Sequence, residues 1–481
     1  MKVPDNLIYS IFQNQERRLK EALSRKTIEI ATGKKIQNLS DDPVATFNVI
    51  QLKKEIAQLS QFSRNRLFAD VNLSYVDEVL GRMSDKIKFL YTKAVQAKNQ
   101  VHTADNLRAI GSEFREGLDF LLVRANERVG ENYLFSGSAL TTKPFTDSFA
   151  YQGSLEEFNV QIGEVNFVEV FPVGGEVFAT NVYELDTSYA SADASLSISG
   201  TLQVSYDSTT VSLDYGRGIW YLTQKVSDPN TPLSAYGIDG DLVLYDSSMN
   251  EIGRIDNYGR YSLNDLITQI NAVFGGENIS ATLVSNSDGT YTLRIEDADS
   301  PANNFIEDSS RNILEADSLR GIVGAFNAVA PGDVKAYLHQ TPAGEYTLRL
   351  IPEDVSTSLS ITFLGTPLGN FSTRNVFQII GEVRDKLSAG LGPDDSDLMG
   401  IDRSYDKITY ERSRLGSVLS QVRQEEPVQE NKMDLLEKER SDVEEAEVSE
   451  SIMEYTRYRI AYEALMRIVS DTRDLTILRY I

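Results

Sequence analysis

No proline occurs between Pro43 and Pro144, and that interval restricts the fold more than any other feature of the chain. Within it Val44, Phe47, Leu52, Ile56, Leu59 and Phe62 keep helical spacing, and Val76, Val79, Leu80, Met83, Ile87 and Leu90 resume it. A helix of about 55 residues would reach about 80 Å, too long for an ordinary globular domain. The interval therefore predicts a rod packed in a bundle or coiled coil. Leu39-Ser40-Asp41-Asp42-Pro43 supplies its start, with oxygen-bearing cap residues and a proline in the first turn. Upstream, Leu7, Ile8, Ile11, Phe12, Leu19, Ala22 and Leu23 predict a helix over 5–32, stopped by Gly33.

The far end mirrors the near one. Beyond Pro427 there is neither proline nor glycine to Ile481. Val448, Ile452, Tyr455, Tyr462, Met466 and Val469 advance in steps of three and four, with Arg459 filling one slot, which is a coiled-coil seam. Ala461, Leu465, Ile468 and Leu475 make a second row, and Leu478 closes the apolar end. A helix facing its own core would show one such stripe. Two apolar helical ends with no flanking structure are expected instead to await partners, as termini otherwise fray.

Between these ends the composition changes. Residues 141–370 hold 20 of the 31 glycines and 9 of the 13 prolines. They carry 10 basic against 31 acidic residues, whereas 1–140 carry 21 against 17. The middle thus reads as acidic, turn-rich and β. It also contains a repeat. Ser262–Val273 aligns with Ser318–Val329, and Gly289–Ile295 with Gly344–Leu350. Each copy predicts a short amphipathic helix, a strand, a glycine turn and a second strand. Leu196, Ile198, Leu202, Val204 and Tyr206 alternate with polar residues upstream, as half-buried strands do.

Several functions lack raw material. The net charge of −24 repels nucleic acid and anionic membranes. No apolar run approaches a membrane span, and Gln15, Glu16, Arg17 and Arg18 stand where a cleaved signal would be apolar. Zero cysteines exclude disulfides and thiolate chemistry, and suit a protein that works outside the cell. Gly216-Arg217-Gly218 lacks the third glycine of a dinucleotide loop. The acidic groups Asp239/Asp241/Asp246, Glu296/Asp297/Asp299 and Asp394/Asp395/Asp397 lack calcium-loop spacing, so solvated loop carboxylates are expected. His102, on the long helix, and His339, in a predicted strand, read as packing or surface residues, and Trp220 as core. No cofactor, metal or catalytic residue is expected.

The expected fold is multidomain α plus β. Residues 1–42 with 435–481 would form terminal coiled-coil assembly segments, and 43–150 with 372–434 a helical rod core. Residues 151–178 would form a β-hairpin region, and 179–371 an outer β-rich insert with repeats at 262–297 and 318–354.

Several segments resemble the bacterial flagellin family, and in particular its hook–filament junction members. They are Leu39–Pro43, Gly130-Glu131-Asn132-Tyr133-Leu134-Phe135-Ser136-Gly137 followed by Lys143-Pro144-Phe145, Tyr151-Gln152-Gly153 and Val160-Gln161-Ile162-Gly163. Arg412–Gly416, Ser441–Ala446 and Leu475–Ile481 continue the likeness at the far end. Tyr133–Gly137 points most directly to the junction members. The departure is 179–371, longer than the family usually carries there; its repeats are similar to the hook IN motif at Ile270-Asn271 and Phe326-Asn327.

The resemblance implies a structural, non-enzymatic joint exported without a cleaved signal through the type III channel, with an export chaperone. Outside the cell it would assemble in a ring of copies of itself between hook-associated protein 1 and flagellin. It implies assembly contacts at Leu7, Ile8, Ile11, Phe12, Leu19, Ile452, Tyr455, Tyr462, Leu465, Ile468, Val469, Leu475 and Leu478. Its motif residues would be Ser40, Asp41, Asp42, Pro43, Tyr133, Leu134, Phe135, Ser136 and Gly137. A secreted type III coiled-coil effector or tip protein would lack the Tyr133–Gly137 match. A filament flagellin with an enzymatic insert would need a polar pocket within 179–371.

Overall fold

A computed structural model describes residues 5–36, 42–99, 103–299, 302 and 304–477. Its helices are α1 (Asp5–Thr32), α2 (Pro43–Asn99), α3 (Ala104–Ala125), the single turn α4 (Gly174–Val177), α5 (Leu263–Val273), α6 (Leu319–Val329), α7 (Val376–Ser388), α8 (Asp395–Glu444) and α9 (Val448–Ile477). Long helices at both ends of the chain and a β-rich middle are the α-plus-β architecture expected. The chain divides into two compact units. One comprises Met1–Asp70, Val160–Val168 and Ser420–Ile481; the other comprises Val71–Asn159 and Glu169–Leu419.

The long helix forms for the reasons its sequence gives. The Asp42 carboxylate accepts hydrogen bonds from the amides of Val44 and Ala45 at 3.1 and 3.0 Å, and Pro43 opens the first turn. Ser40 and Asp41 of the same motif lie outside the described residues, as does His102. Further along α2, Leu73, Val76, Leu80, Met83, Ile87, Leu90, Ala94 and Ala97 are all buried, in alternating steps of three and four. Val44 and Phe47 depart from the expected stripe; at 73% and 59% exposed they face out of the helix's own core.

In the second unit α3 buries Leu107, Ile110, Phe114, Leu118 and Leu121, and packs along α7. Helix α3 approaches α2 closely at Gly117, where an added Cβ would lie 2.8 Å from the Leu90 side chain. Asn375 starts α7 with a reciprocal capping box to Gln378.

The two aligned stretches form the same elements in the same order. The first is α5, strand Ile279–Ser285 and strand Tyr291–Asp297; the second is α6, strand Val334–Gln340 and strand Tyr346–Pro352. Ser262 and Ser318 cap their helices alike, accepting from the amides of Asp265 and Gly321. The asparagine of each helix clamps the following strand. Asn271 exchanges two hydrogen bonds with the Ala281 backbone, at 2.6 and 3.1 Å, and Asn327 does the same with Ala336, both at 2.8 Å.

The first copy encloses Leu263, Leu266, Ile270, Leu293 and Ile295 around Trp220, which is core as expected. The second shares its core, around Leu319, Ile322, Phe326 and Leu348, with Leu202, Val204 and Leu213 of the preceding strands. Leu196 and Ile198 pack against that core from outside any strand.

Candidate assembly interface

In the first unit α1 and α9 pair. Lys26 bonds Glu454 at 2.8 Å and also Glu29, while Lys20 lies over the Tyr462 ring. Residue numbers rise on one helix as they fall on the other, so the pair is antiparallel. On α9 the more buried positions include Ser451, Tyr455, Tyr458, Tyr462, Leu465 and Val469, in steps of four and three, with Glu454 and Thr456 beside them. On α1 they include Phe12, Glu16, Leu19, Leu23, Lys26 and Ile30 at the same spacing. This is a two-stranded coiled-coil seam.

Of the residues expected at the interface, Phe12, Leu19, Tyr455, Tyr462, Leu465 and Val469 thus fall in the seam between the chain's own ends. Ile11, Ile452 and Ile468 do not; they are 57%, 48% and 52% exposed. Met453 and Ile460, seven residues apart, are exposed beside them on α9. The sequence reading placed Ile452 and Met466 in one row with Tyr455 and Tyr462; the helix divides them between two faces. Leu478 lies outside the described residues, and the side chains of Leu7, Ile8 and Leu475 are also outside them.

The base of the coil is a chain crossing. Gly33, at φ +67°, ends α1, and its amide bonds the Glu29 carbonyl at 2.8 Å. Beyond it the Lys35 amide bonds the Glu444 carbonyl, and the Ala446 amide bonds the Gly33 carbonyl, both at 2.9 Å. The Glu444 carboxylate receives Lys34 and Lys53, and the Lys34 hydrogen bond foremost holds it below its ordinary range. The helix runs through Pro427 and breaks between Glu444 and Val448. Asn431 Nδ2 donates to the Pro427 carbonyl at 2.7 Å within the continuing helix.

In the second unit Tyr133–Gly137 makes a packed knot. Leu134, Phe135 and Ser136 are fully buried, and the Arg128 guanidinium lies 4.1 Å from the Tyr133 ring centroid. The Phe135 and Phe145 rings meet Phe178 at 5.1 and 5.4 Å, and Phe145 meets Phe377 of α7 at 4.9 Å. The Tyr151 hydroxyl donates towards the Phe135 and Ser154 carbonyls, and burial pushes it up to about 12, so it stays a donor. Gly137 sits at φ +60° with the Glu156 carbonyl 2.6 Å from where a Cβ would be, so no other residue fits.

Sequence reasoning missed one cluster. Arg349, Lys386, Asp397 and Ser396 are wholly buried, with His339 at 1% exposed. Arg349 bonds Glu184 at 2.6 Å and also Glu382; Lys386 bonds Asp397 and Asp394 at 2.5 and 2.7 Å. His339 Nδ1 lies 2.9 Å from Ser396 Oγ and 3.4 Å from both aspartates. Asp394 also caps α8, accepting from the Asp397 amide. Asp394 and Asp397 are therefore ion-paired and, for Asp397, buried, not the solvated loop carboxylates expected; Asp297 is buried too. Burial would raise Glu184, but Arg349 and Arg374 overcome it and hold the carboxyl down at about 2. Burial also opposes ionisation of Asp394, yet His339 and Lys386 hold it well below the carboxylate range. In Glu382 burial wins and the pKa rises. His339 with Glu184 and Glu382, or with Asp394 and Asp397, could geometrically surround a cation, but Arg349 and Lys386 already supply the positive charge there.

Residues 3–139 match the profile of the bacterial flagellin N-terminal helical region, and this stretch carries that domain. Over 152 residues the chain is 29% identical to flagellar hook-associated protein 3 of Escherichia coli and 27% identical to that of Salmonella typhimurium. Each match covers 31% of this chain, which thereby spans about half the length of these relatives, 48%. A flagellin of Aquifex aeolicus is 21% identical over 97% of this chain and 96% of its own. Among solved structures, Xanthomonas campestris FlgL aligns at 17% identity and a TM-score of 0.42, covering 81% of this chain and 99% of its own.

Proposed function

We propose, from a chain whose residues 3–139 carry the flagellin N-terminal helical region, that the protein is a structural joint of the bacterial flagellum. In this reading it sits outside the cell at the hook–filament junction, between hook-associated protein 1 and flagellin, in a ring with other copies of itself. It is exported through the type III channel, with a chaperone, and performs no catalysis. The outer insert, 179–371, is carried by the joint, its first repeat as a module and its second anchored to the helical unit through Arg349.

One observation carries the reading. The α1–α9 coil satisfies its own seam and still displays Ile11, Ile452, Met453 and Ile460 on its outer face, where a finished two-stranded coil carries charge. Exposed apolar rows of this kind mark contact surfaces. Burying each such side chain in an assembly contributes about 1.5–3 kcal/mol, so several together can drive polymerisation.

The test is Ile452→Asp in cells. The variant monomer should melt within about 0.5 kcal/mol of wild type, because the side chain already faces solvent. It should nevertheless fail to join the axis, leaving hooks that shed flagellin. Wild-type filaments and motility from this variant would count against the interface.

A further inference from the structure

We propose that an acidic cleft in the second unit binds a small aliphatic polyamine. The cleft holds about 610 Å³ and is lined by Asp207, Asp333, Glu353, Asp354 and Asp406, with Arg403 as the one cation. It is assembled from three places: the turn after strand Gly200–Tyr206, the open end of the second repeat's strand pair, and α8.

Asp207, Asp333, Glu353 and Asp354 are exposed enough to meet a ligand from solvent. Asp354 has spent part of its hydrogen-bonding capacity on the Ser356 amide and hydroxyl, both at 2.8 Å. Arg403 reaches Asp406 at 3.3 Å, so four carboxylates remain without an ion pair to Arg403 within the cleft.

A second observation, independent of the carboxylates, points into the same space. Tyr206 lines the cleft at 5% exposed, and its buried hydroxyl has no hydrogen-bond partner. Burial pushes this phenol up to about 12, with Asp333 and Asp207 adding to the effect. A neutral hydroxyl there offers lone pairs to an N–H donor.

The size and spread of the donors choose the ligand class. Among the described residues the groupings tight enough to surround a metal ion all lie at His339, not here. A cavity of about 610 Å³ is far larger than one ion and falls in the range of organic-ligand sites. Carboxylates contributed by a turn, a hairpin end and α8 suit a chain carrying more than one ammonium group. Val355, buried at the wall, gives the methylene stem an apolar contact.

The experiment is calorimetric titration of the full chain with spermidine at 0.15 M salt, beside Mg²⁺ and a monoamine. Asp207 has φ +47°, a conformation asparagine also tolerates, so Asp207→Asn should fold normally. Asp207→Asn with Asp333→Asn should weaken spermidine binding at least tenfold, and Tyr206→Phe, which keeps the ring, severalfold. Mg²⁺ should compete poorly. Glu353→Gln, at an exposed site, should weaken binding and supplies a variant with no core to disturb. Spermidine binding unchanged in all these variants, or fully displaced by equimolar Mg²⁺, would overturn the proposal.

Discussion

The two copies of the repeat share a skeleton and differ in what they do with one arginine. Arg294 and Arg349 occupy equivalent places in strands Tyr291–Asp297 and Tyr346–Pro352. Arg294 stays partly exposed and reaches Asp214 at 3.3 Å and Glu296 at 2.9 Å. Arg349 is wholly buried among Glu184, Glu382 and Asp397. The cause is what each strand meets. Tyr346–Pro352 pairs with Ala179–Leu185, which pairs with Phe371–Asn375, the strand running straight into α7. Tyr291–Asp297 pairs instead with Ile219–Leu222, whose other neighbour is the short strand Ile313–Glu315. One copy is a module; the other is built into the helical unit through a buried ion network.

The sharpest way to break this contrast is to delete both arginines in turn. Arg349→Ala removes a wholly buried cation from among Glu184, Glu382 and Asp397, leaving only Arg374 and Lys386 beside them, and should cost about 3–5 kcal/mol, enough to lose most folded protein. Arg294→Ala should cost at most about 1 kcal/mol, because its partners are half in water. Denaturant melts of the two variants measure the difference. Equal losses would mean that the network contributes no more than a surface pair.

Acid and base should separate the copies next. Glu184 and Asp394 have depressed pKa values in the fold, so their contribution is present above the ordinary carboxylate range. It fades as pH falls from about 4 towards about 2. Glu315, on the strand paired with Ile219–Leu222, has the opposite sign: burial pushes it up to about 7 despite the Gly218 amide it accepts. Its contribution is full below about pH 4.3 and lost as pH rises through about 7. Hydrogen exchange at Gly218, corrected for its intrinsic pH dependence, should therefore show falling protection between pH 5 and 8. The Arg349 amide should hold steady over that range. Parallel behaviour at both sites would erase the distinction.

Where the copies agree, the same substitution should cost the same. Asn271→Ala and Asn327→Ala each leave a backbone amide and carbonyl of the facing strand without their partner, so each should lose about 1–3 kcal/mol. A loss confined to one would show that its clamp is incidental to the fold.

How far the sequence could be read follows from the range of each interaction. Helix ends are local events, and Asp42, Gly33, Ser262 and Ser318 announce them within a few residues. The buried stripe from Val76 to Leu90 is periodic, so it too was legible. The split of α9 between an inner seam and an outer row was harder, because Ile452 and Tyr455 both satisfy helical spacing and only the partner helix selects one. The ion network was out of reach. Its members come from residues 184, 339, 349, 382, 386, 394 and 397, and no local pattern joins them. Pro427 shows the converse: a local breaker signal overridden by the rest of a long helix.

The smallest predicted effect probes the feature both copies share most closely, the turn between their strands. Gly289 and Gly344 adopt φ +79° and +85°, and nothing lies within 4 Å of where a Cβ would project. Substitution by alanine therefore meets no clash in either copy and pays only the strain of a left-handed backbone, about 1–2 kcal/mol. The turn hydrogen bonds match as well, from the Gly289 amide to the Asn286 carbonyl at 3.1 Å and from Gly344 to Thr341 at 2.9 Å. Gly289→Ala and Gly344→Ala should thus shift melts by equal, small amounts. Asparagine at either site should recover part of the loss, since it tolerates this conformation better than alanine. A penalty several times larger at Gly344 would mean that strain in its turn reaches Arg349 five residues on, and that the buried network depends on the hairpin's geometry.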